Sequence, residues 1–410
     1  MKRELKLYVH IPFCIKKCAY CDFLSGPADD GKKLAYVDAL VEEIRRCGDF
    51  SAYTVTSIFF GGGTPSVLPG EWMERIMEEI REHFCMDPEA EITTEANPGT
   101  VDPEKLNSYR RAGFNRISFG CQSVDDQELK RLGRIHTWEQ FLESYNMARK
   151  AGFRNINVDL MSGLPGQSLT SWEETLKKVA ALEPEHISAY SLIVEEGTPF
   201  YDMQDQLELP EEETERLMYE RTAEILREYG YEQYEISNYG RPGYACRHNI
   251  GYWTGRQYLG LGLGASSLID NCRFCNTNHM ETYLTQMAGK DSRHSCMHEN
   301  EMTASFENPA ADAQINHILQ DVNVTGIREE IQKLSEQDRM EEFMILGLRL
   351  TQGVSEADFE RLFHIKIDQV YGEILKKYCS AGFLKRERGR IFFTREGISV
   401  SNTILSEMLL

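Results

Sequence analysis

Residues 7–23 read LYVHIPFCIKKCAYCDF and set Cys14, Cys18 and Cys21 in a C-x3-C-x2-C array. Three thiolates so close in one loop can grip an iron–sulfur cluster. A 4Fe–4S cube has four irons, so one iron lacks a cysteine from this array. Four-cysteine ferredoxin spacings fill every iron, and zinc ribbons use a second ligand pair at a similar distance, so neither pattern is complete here. Three ordinary cysteines in a loop are the bland alternative, although such runs in an intracellular chain more often bind metal. An iron with an open position is a place for chemistry.

Around this loop lie 410 residues, 41% of them hydrophobic, enough for two or three domains and a large core. Eleven cysteines, with no secretory signal and no apolar run near membrane-spanning length, lead us to expect a reducing cytoplasm with thiols free or bound to metal. A net charge of −20 argues against nucleic acid as a partner, since that binding relies on clustered Lys and Arg.

From Leu5 onward, short β-branched and aromatic runs alternate with longer helical patterns, the signature of a parallel sheet built from βα units. Strands are expected at Leu5–Ile11, Thr56–Phe60, Glu91–Glu95, Asn115–Phe119, Asn155–Leu160 and His186–Leu192. Helices are expected at 33–47, 71–84, 103–112, 125–150 with a break near Gly133, 169–182 and 211–229. Six repeats make an α/β fold, a partial (β/α)6 barrel. Barrel enzymes carry their sites on the loops at the C-terminal ends of the strands. Here strand one leads into the cysteine loop, and the next five lead into GGGTPS, EANPGT, GCQS, DLMSGLPGQ and EEGTP. Six polar, Gly-rich loops on one rim make a single mouth.

Within those loops, Gly61, Gly62, Gly63, Thr64 and Pro65 let backbone groups approach a ligand without obstruction, or else make a tight turn. Glu95, Gln122 and Asp159 are polar ends of apolar strands; a carboxylate suits ribose hydroxyls as a bidentate acceptor, and each of the three could instead cap a neighbouring helix. Arg134 and His136 in LGRIHT are placed to reach the same mouth.

Beyond residue 230 the pattern changes. His248-Asn249-Ile250-Gly251-Tyr252-Trp253 joins an imidazole to two large flat side chains, a set that suits a porphyrin: His248 as axial ligand of haem iron, Tyr252 and Trp253 against the ring. A satisfied core histidine is the alternative. Cys272, Cys275, His279, His294, Cys296 and His298 offer ligands for a second metal, or are scattered thiols and imidazoles. From about Asp338, three helices and a two-strand ribbon resemble a winged helix, whose Lys385, Arg386, Arg388 and Arg390 either touch phosphates or line a solvated turn. The chain thus divides into a barrel over 1–230, an extension over 231–290, an insertion or linker over 291–337 and the winged-helix-like module over 338–410.

The cysteine spacing with Tyr20 before the third cysteine resembles the radical S-adenosylmethionine (SAM) family. The order of cysteine loop, GGGTPS, EANPGT, GCQS, DLMSGLPGQ and HNIGYW is similar to its branch of oxygen-independent coproporphyrinogen III dehydrogenases and HemW-type haem chaperones. The resemblance runs over about 5–268 and from 338 to the C-terminus. It implies a 4Fe–4S cluster on Cys14, Cys18 and Cys21, whose open iron chelates SAM and whose electron can cleave it to a 5′-deoxyadenosyl radical. It also implies a SAM pocket of Tyr8, Gly62, Gly63, Thr64, Glu95, Gln122 and Asp159. Two departures separate the branches: the dehydrogenase has a fourth cysteine where this chain has Phe23, and an N-terminal extension where strand one here begins almost at Met1. H-N-x-x-Y-W goes with haem binding in the chaperones. The chaperone resemblance implies haem as cargo on His248, Tyr252 and Trp253, passed to apo-haemoproteins such as membrane respiratory enzymes. It leaves open peripheral membrane association during delivery, an electron donor if SAM is cleaved, and a homodimer. The alternatives are the dehydrogenase itself, or a radical SAM enzyme acting on haem.

Overall fold

The computed structural model describes residues 2–288 and 326–410. Of the sequence expectations, His294, Cys296, His298 and most of the 291–337 insertion lie outside the described residues.

Six parallel strands, β1 (Arg3–Ile11), β2 (Tyr53–Gly62), β3 (Met86–Ala96), β4 (Arg116–Gln122), β5 (Ile156–Ser162) and β6 (His186–Ser191), lie side by side in chain order, as the alternating runs predict. Helices α1 (Asp30–Arg46), α2 (Gly70–His83), α3 (Pro103–Arg111), α4 (Asp126–Arg131), α5 (Trp138–Lys150), α6 (Leu169–Ala180), α7 (Pro199–Asp202) and α8 (Glu212–Glu228) connect and follow them. The amphipathic pattern decides what each helix covers. In α2, Met73, Ile76, Met77 and Ile80 recur on one face and are fully buried, each contributing about 1.5–3 kcal/mol of transfer free energy. The helical run expected over 125–150, with its break near Gly133, is the pair α4 and α5. Gly133 turns the chain at φ 76°, and a capping box between Thr137 and Gln140 starts α5 afresh.

Period-two alternation sorts each strand into two faces. Leu5, Leu7, Val9 and Ile11 of β1, Ile117 and Phe119 of β4, and Val158 and Leu160 of β5 are fully buried in the apolar core. The alternate positions, among them Lys6, Ser57, Glu91, Arg116, Asn157 and His186, are polar yet almost without exposure. The barrel interior is therefore a layered polar network, with the apolar core between sheet and helices.

Sheet growth continues past the barrel on both sides. Beyond β6 come the short antiparallel strands β7 (Glu232–Gln233) and β8 (Asn238–Gly240), and beyond β1 come β9 (Tyr258–Leu261), β10 (Ser266–Ile269), β11 (Cys272–Asn276) and β12 (Arg328–Lys333). β12 corrects the sequence reading, which left residues 328–333 in the linker; they pair antiparallel with β11. Helix α9 (Arg247–Trp253) and helix α10 (Met280–Ala288) accompany this extension.

The C-terminal module has its own core, built on helices Glu336–Gly347, Glu356–Phe363 and Ile367–Ser380. Its sheet has three strands where two were expected: Val354–Ser355 adds to the ribbon Leu384–Glu387 and Arg390–Phe393. Arg386 is held between Glu356 and Asp368, and Arg390 donates to the carbonyls of Gln352 and Gly353, so these charges are engaged within the module. The module reaches both arms of the sheet. Glu342 pairs with Arg273 of β11 at 2.8 Å, while the Thr351 amide donates to Tyr234 O beside β7 at 3.0 Å. No helix among the described residues is long and apolar enough to cross a membrane.

Candidate functional site

The cysteine loop is pinned where it leaves β1. The Cys14 amide donates to Gly26 O and the Gly26 amide to Pro12 O, both at 3.1 Å, closing the loop at its neck. His10 fixes it from below. A carbonyl can only accept, so His10 Nε2–H donates to Leu24 O at 2.9 Å, and Nδ1 takes the Tyr8 hydroxyl at 3.0 Å. Farther round, the Ala19 amide donates to Leu132 O and the Phe200 amide to Ala19 O.

The glycine loop packs directly on this one. Gly62 has φ 103°, and a Cβ there would lie 2.3 Å from the His10 ring; a Cβ on Gly63 would lie 2.6 Å from Phe13 O. Only glycine fits either place. The amides of Gly63 and Thr64 donate to Ile11 O and Phe13 O at 2.9 and 2.7 Å. With these donors engaged, the loop has carbonyl acceptors rather than amides to offer a ligand.

One cavity of about 300 Å³, a volume at the lower end for small-molecule sites, is lined by Cys14, Cys18 and Cys21 and by Gly62, Gly63, Thr64, Glu95, Gln122 and Asp159. Tyr8 does not line it; its hydroxyl lies beneath, on His10. Burial, and next the charge of Asp159, push the Glu95 carboxyl up to about 8. Burial also raises Asp159, against hydrogen bonds that favour its carboxylate. Gln122 takes φ 70° at an irregularity in the β4–β5 ladder, and its amide oxygen accepts from Tyr190 OH at 2.9 Å. Arg134 also lines the cavity, donating to Asn97 Oδ1 at 2.8 Å and lying 3.7 Å from Cys18 Sγ. His136 turns away, its Nε2 3.2 Å from Cys121 O, and burial lowers it to about 3.

His248, Tyr252 and Trp253 are elsewhere. They lie on α9, which plugs the opposite end of the barrel. Glu91 accepts the Arg247 and His248 amides at 3.1 and 3.0 Å. His248 is 1% exposed; Nδ1 meets Ser57 Oγ at 2.9 Å, Nε2 meets Tyr252 OH at 3.0 Å, and burial lowers it to about 3, so the ring is neutral. Trp253 lies under the Arg349 guanidinium of the C-terminal module at 4.8 Å. Both imidazole nitrogens are engaged, so a bond to iron must displace a partner.

Cys272 and Cys275 alternate on β11, the first buried and the second part-exposed. Among the described residues no three His, Cys, Asp or Glu side chains converge on a point that could hold a single metal ion. In a cube each thiolate takes its own iron, so cysteines set around a cavity need not converge so. Sequence reading missed Asn97, Ser118, Asn157, His186 and Tyr190, which buttress the cavity. Asn157 carried a signal, since period two places it on the face of Asp159.

A six-stranded parallel barrel with this cysteine loop at its mouth defines the class, a radical SAM fold, and the Radical SAM superfamily model matches residues 8–179. The HemN C-terminal domain model matches residues 334–400. Among solved structures, coproporphyrinogen III oxidase (HemN) from Escherichia coli, described as a radical SAM enzyme, shares the fold with TM-score 0.79 and 24% identity, over 100% of this chain and 90% of that one. The protein named heme chaperone HemW from Lactococcus lactis is 34% identical over 416 residues, covering 100% of this chain and 98% of its own. Its Bacillus subtilis namesake is 33% identical over 411 residues, 98% of each. The chain belongs to the HemW family of radical SAM proteins.

Proposed function

We propose that this protein is a haem chaperone, which binds haem and hands it to apo-haemoproteins, membrane respiratory enzymes among them, and whose mouth holds a 4Fe–4S cluster and SAM. The observation that carries the reading is similarity from end to end with proteins named heme chaperone HemW. Phe23, 63% exposed where the dehydrogenase branch has its fourth cysteine, favours it over coproporphyrinogen chemistry.

The donor set fits both groups. Cys14, Cys18 and Cys21 would hold three irons, the glycine-loop carbonyls would accept from the SAM amino group, and Glu95 and Asp159 would accept from its ribose. When bound, such a cluster supplies an electron and an iron with an open position. Glu95, shared between proton and ligand, makes binding depend on pH. Its carboxylate is the better partner for a cationic, hydroxyl-bearing ligand, so SAM affinity is expected to rise roughly tenfold as pH climbs through about 8, and Glu95→Gln to flatten the profile in equilibrium dialysis. The sign for folding is opposite. A carboxyl raised from 4.5 to about 8 contributes stability that is present below 4.5 and lost as pH rises through 8.

His248 is the proposed axial ligand, with Nε2 exchanging Tyr252 OH for iron. Haem titrated into anaerobically reconstituted protein is expected to remain bound through gel filtration at one per chain. Protein that keeps its cluster but no haem would overturn the proposal, and formation of decarboxylated product from coproporphyrinogen III, SAM and a reductant would replace it with the dehydrogenase.

A further inference from the structure

Beneath the cavity, Asp159 stands at the end of a line of hydrogen bonds that crosses the barrel. Asn157, two residues earlier on β5 and 2% exposed, donates from Nδ2 to Asp159 Oδ1 at 2.7 Å and to Ser118 Oγ at 2.7 Å. Ser118 Oγ donates to the other carboxylate oxygen at 3.0 Å. The amide oxygen of Asn157 faces His186 Nδ1 and also accepts from Ser188 Oγ of β6 at 3.2 Å, and His186 Nε2 meets Tyr234 OH at 2.8 Å. Tyr234 OH accepts the Cys246 amide, which opens α9, at 3.2 Å.

The carboxylate end fixes the direction of the line. A backbone amide can only donate, so Tyr234 OH accepts it and keeps its own proton for His186. An ionised carboxylate can only accept, so Asn157 must face it with its NH2 group and take a proton donor on its oxygen. His186 is wholly buried, and burial and then Arg116 hold it well below the usual imidazole range, so it is neutral and carries its proton on Nδ1. Successive donors therefore point from α9 toward Asp159, each polarised by the one behind.

We infer that Asn157 and His186 are positioning residues for Asp159, holding its carboxylate ionised and in one orientation, so that its outward lone pairs face the ribose hydroxyls of a nucleoside cofactor. This deepens the proposed reading of the mouth as a SAM site and rests on it. The charged and titratable groups facing Asp159 are Glu95 from β3, Arg116 and Cys121 from β4, and Tyr190 from β6. Two carboxyls share this space; the line of donors keeps Asp159 ionised and leaves the proton to Glu95.

The test is SAM affinity by equilibrium dialysis on the full chain with its cluster reconstituted, alongside the cluster's visible spectrum. Asn157→Asp keeps the shape and turns an acceptor on Asp159. Relative to wild type at the same pH, it is expected to weaken SAM about tenfold or more near pH 8, with the cluster unchanged, and the deficit to close as the new carboxyl is protonated toward about pH 6. His186→Gln keeps a donor on one side and an acceptor on the other, and is expected to stay within about threefold of wild type. His186→Ala, which leaves Asn157 Oδ1 only the longer bond from Ser188, should lose about fivefold. Wild-type affinity with no new pH dependence in Asn157→Asp would overturn the inference, as would His186→Gln binding no better than His186→Ala; that pair decides alone if Asn157→Asp does not fold. Failure of wild-type protein with an intact cluster to bind SAM would instead overturn the reading of the mouth, and the inference with it.

Discussion

Cys18→Ala protein is expected to carry almost no iron or sulfide, yet to melt with the wild-type apoprotein. The reason lies in what holds the loop. Its neck is closed by backbone bonds of Cys14 and Gly26, its middle by Ala19 on Leu132 and its far side by His10 on Leu24 O, and none of these uses the Cys18 thiol. Cys18 is part-exposed, and its removal should change apoprotein stability by no more than about 0.5 kcal/mol. The cluster has no such redundancy, since two thiolates leave two irons without a protein ligand. Iron and sulfide analysis checks the first half and thermal melting the second. A variant with full cluster content would mean that another group ligates, and would remove Cys18 from the set. The same loss of iron is expected for Cys14→Ala and Cys21→Ala.

His248→Ala is expected to lose both haem and about 3 kcal/mol of stability, and the two losses have different causes. Truncation takes the imidazole partner from Tyr252 OH, leaves Ser57 Oγ with only the long bond from Lys6 Nζ at 3.4 Å, and removes the ring packed on Phe59 at 5.3 Å. Loss of haem alone would therefore not distinguish a ligand from a scaffold. His248→Gln does. Its amide can bond both hydroxyls and so restore most of the stability, but it is a poor axial ligand. Denaturant unfolding and haem retention after gel filtration, measured on both variants, separate the roles. If His248→Gln keeps haem at one per chain, His248 is scaffold and the iron is held elsewhere.

The strands of the barrel were readable because their outward positions are apolar and β-branched, and the loops because each unusual residue falls just past a strand end. The same pattern marks which side chains share an inner face but not which strand they reach across the barrel. Ser57 and His248 meet over a separation of 191 residues, and only the folded chain shows it. Helix α9 was illegible for a related reason. Seven residues are too few for a helical period to show, and its start is capped by Glu91 from another strand instead of by a local Ser, Thr or Asp. β12 was missed because REEIQK is polar and part-exposed, with its pairing to β11 as its main support. Tyr8 was grouped with the mouth through the family resemblance; its hydroxyl lies on His10, one layer below the residues that line the cavity.

The plugged barrel floor has a consequence for the order of events. Gly251 lets Lys6 lie against α9 so closely that a Cβ would overlap it, and the C-terminal module bridges the two arms of the sheet outside. With that end filled, the cavity beside the cysteine loop opens at the mouth, away from α9. Of two guests sharing that cavity, the deeper one must arrive first and leave last, so a guest on the rim detains the guest below it, and the residence time of the inner one cannot be shorter than that of the outer.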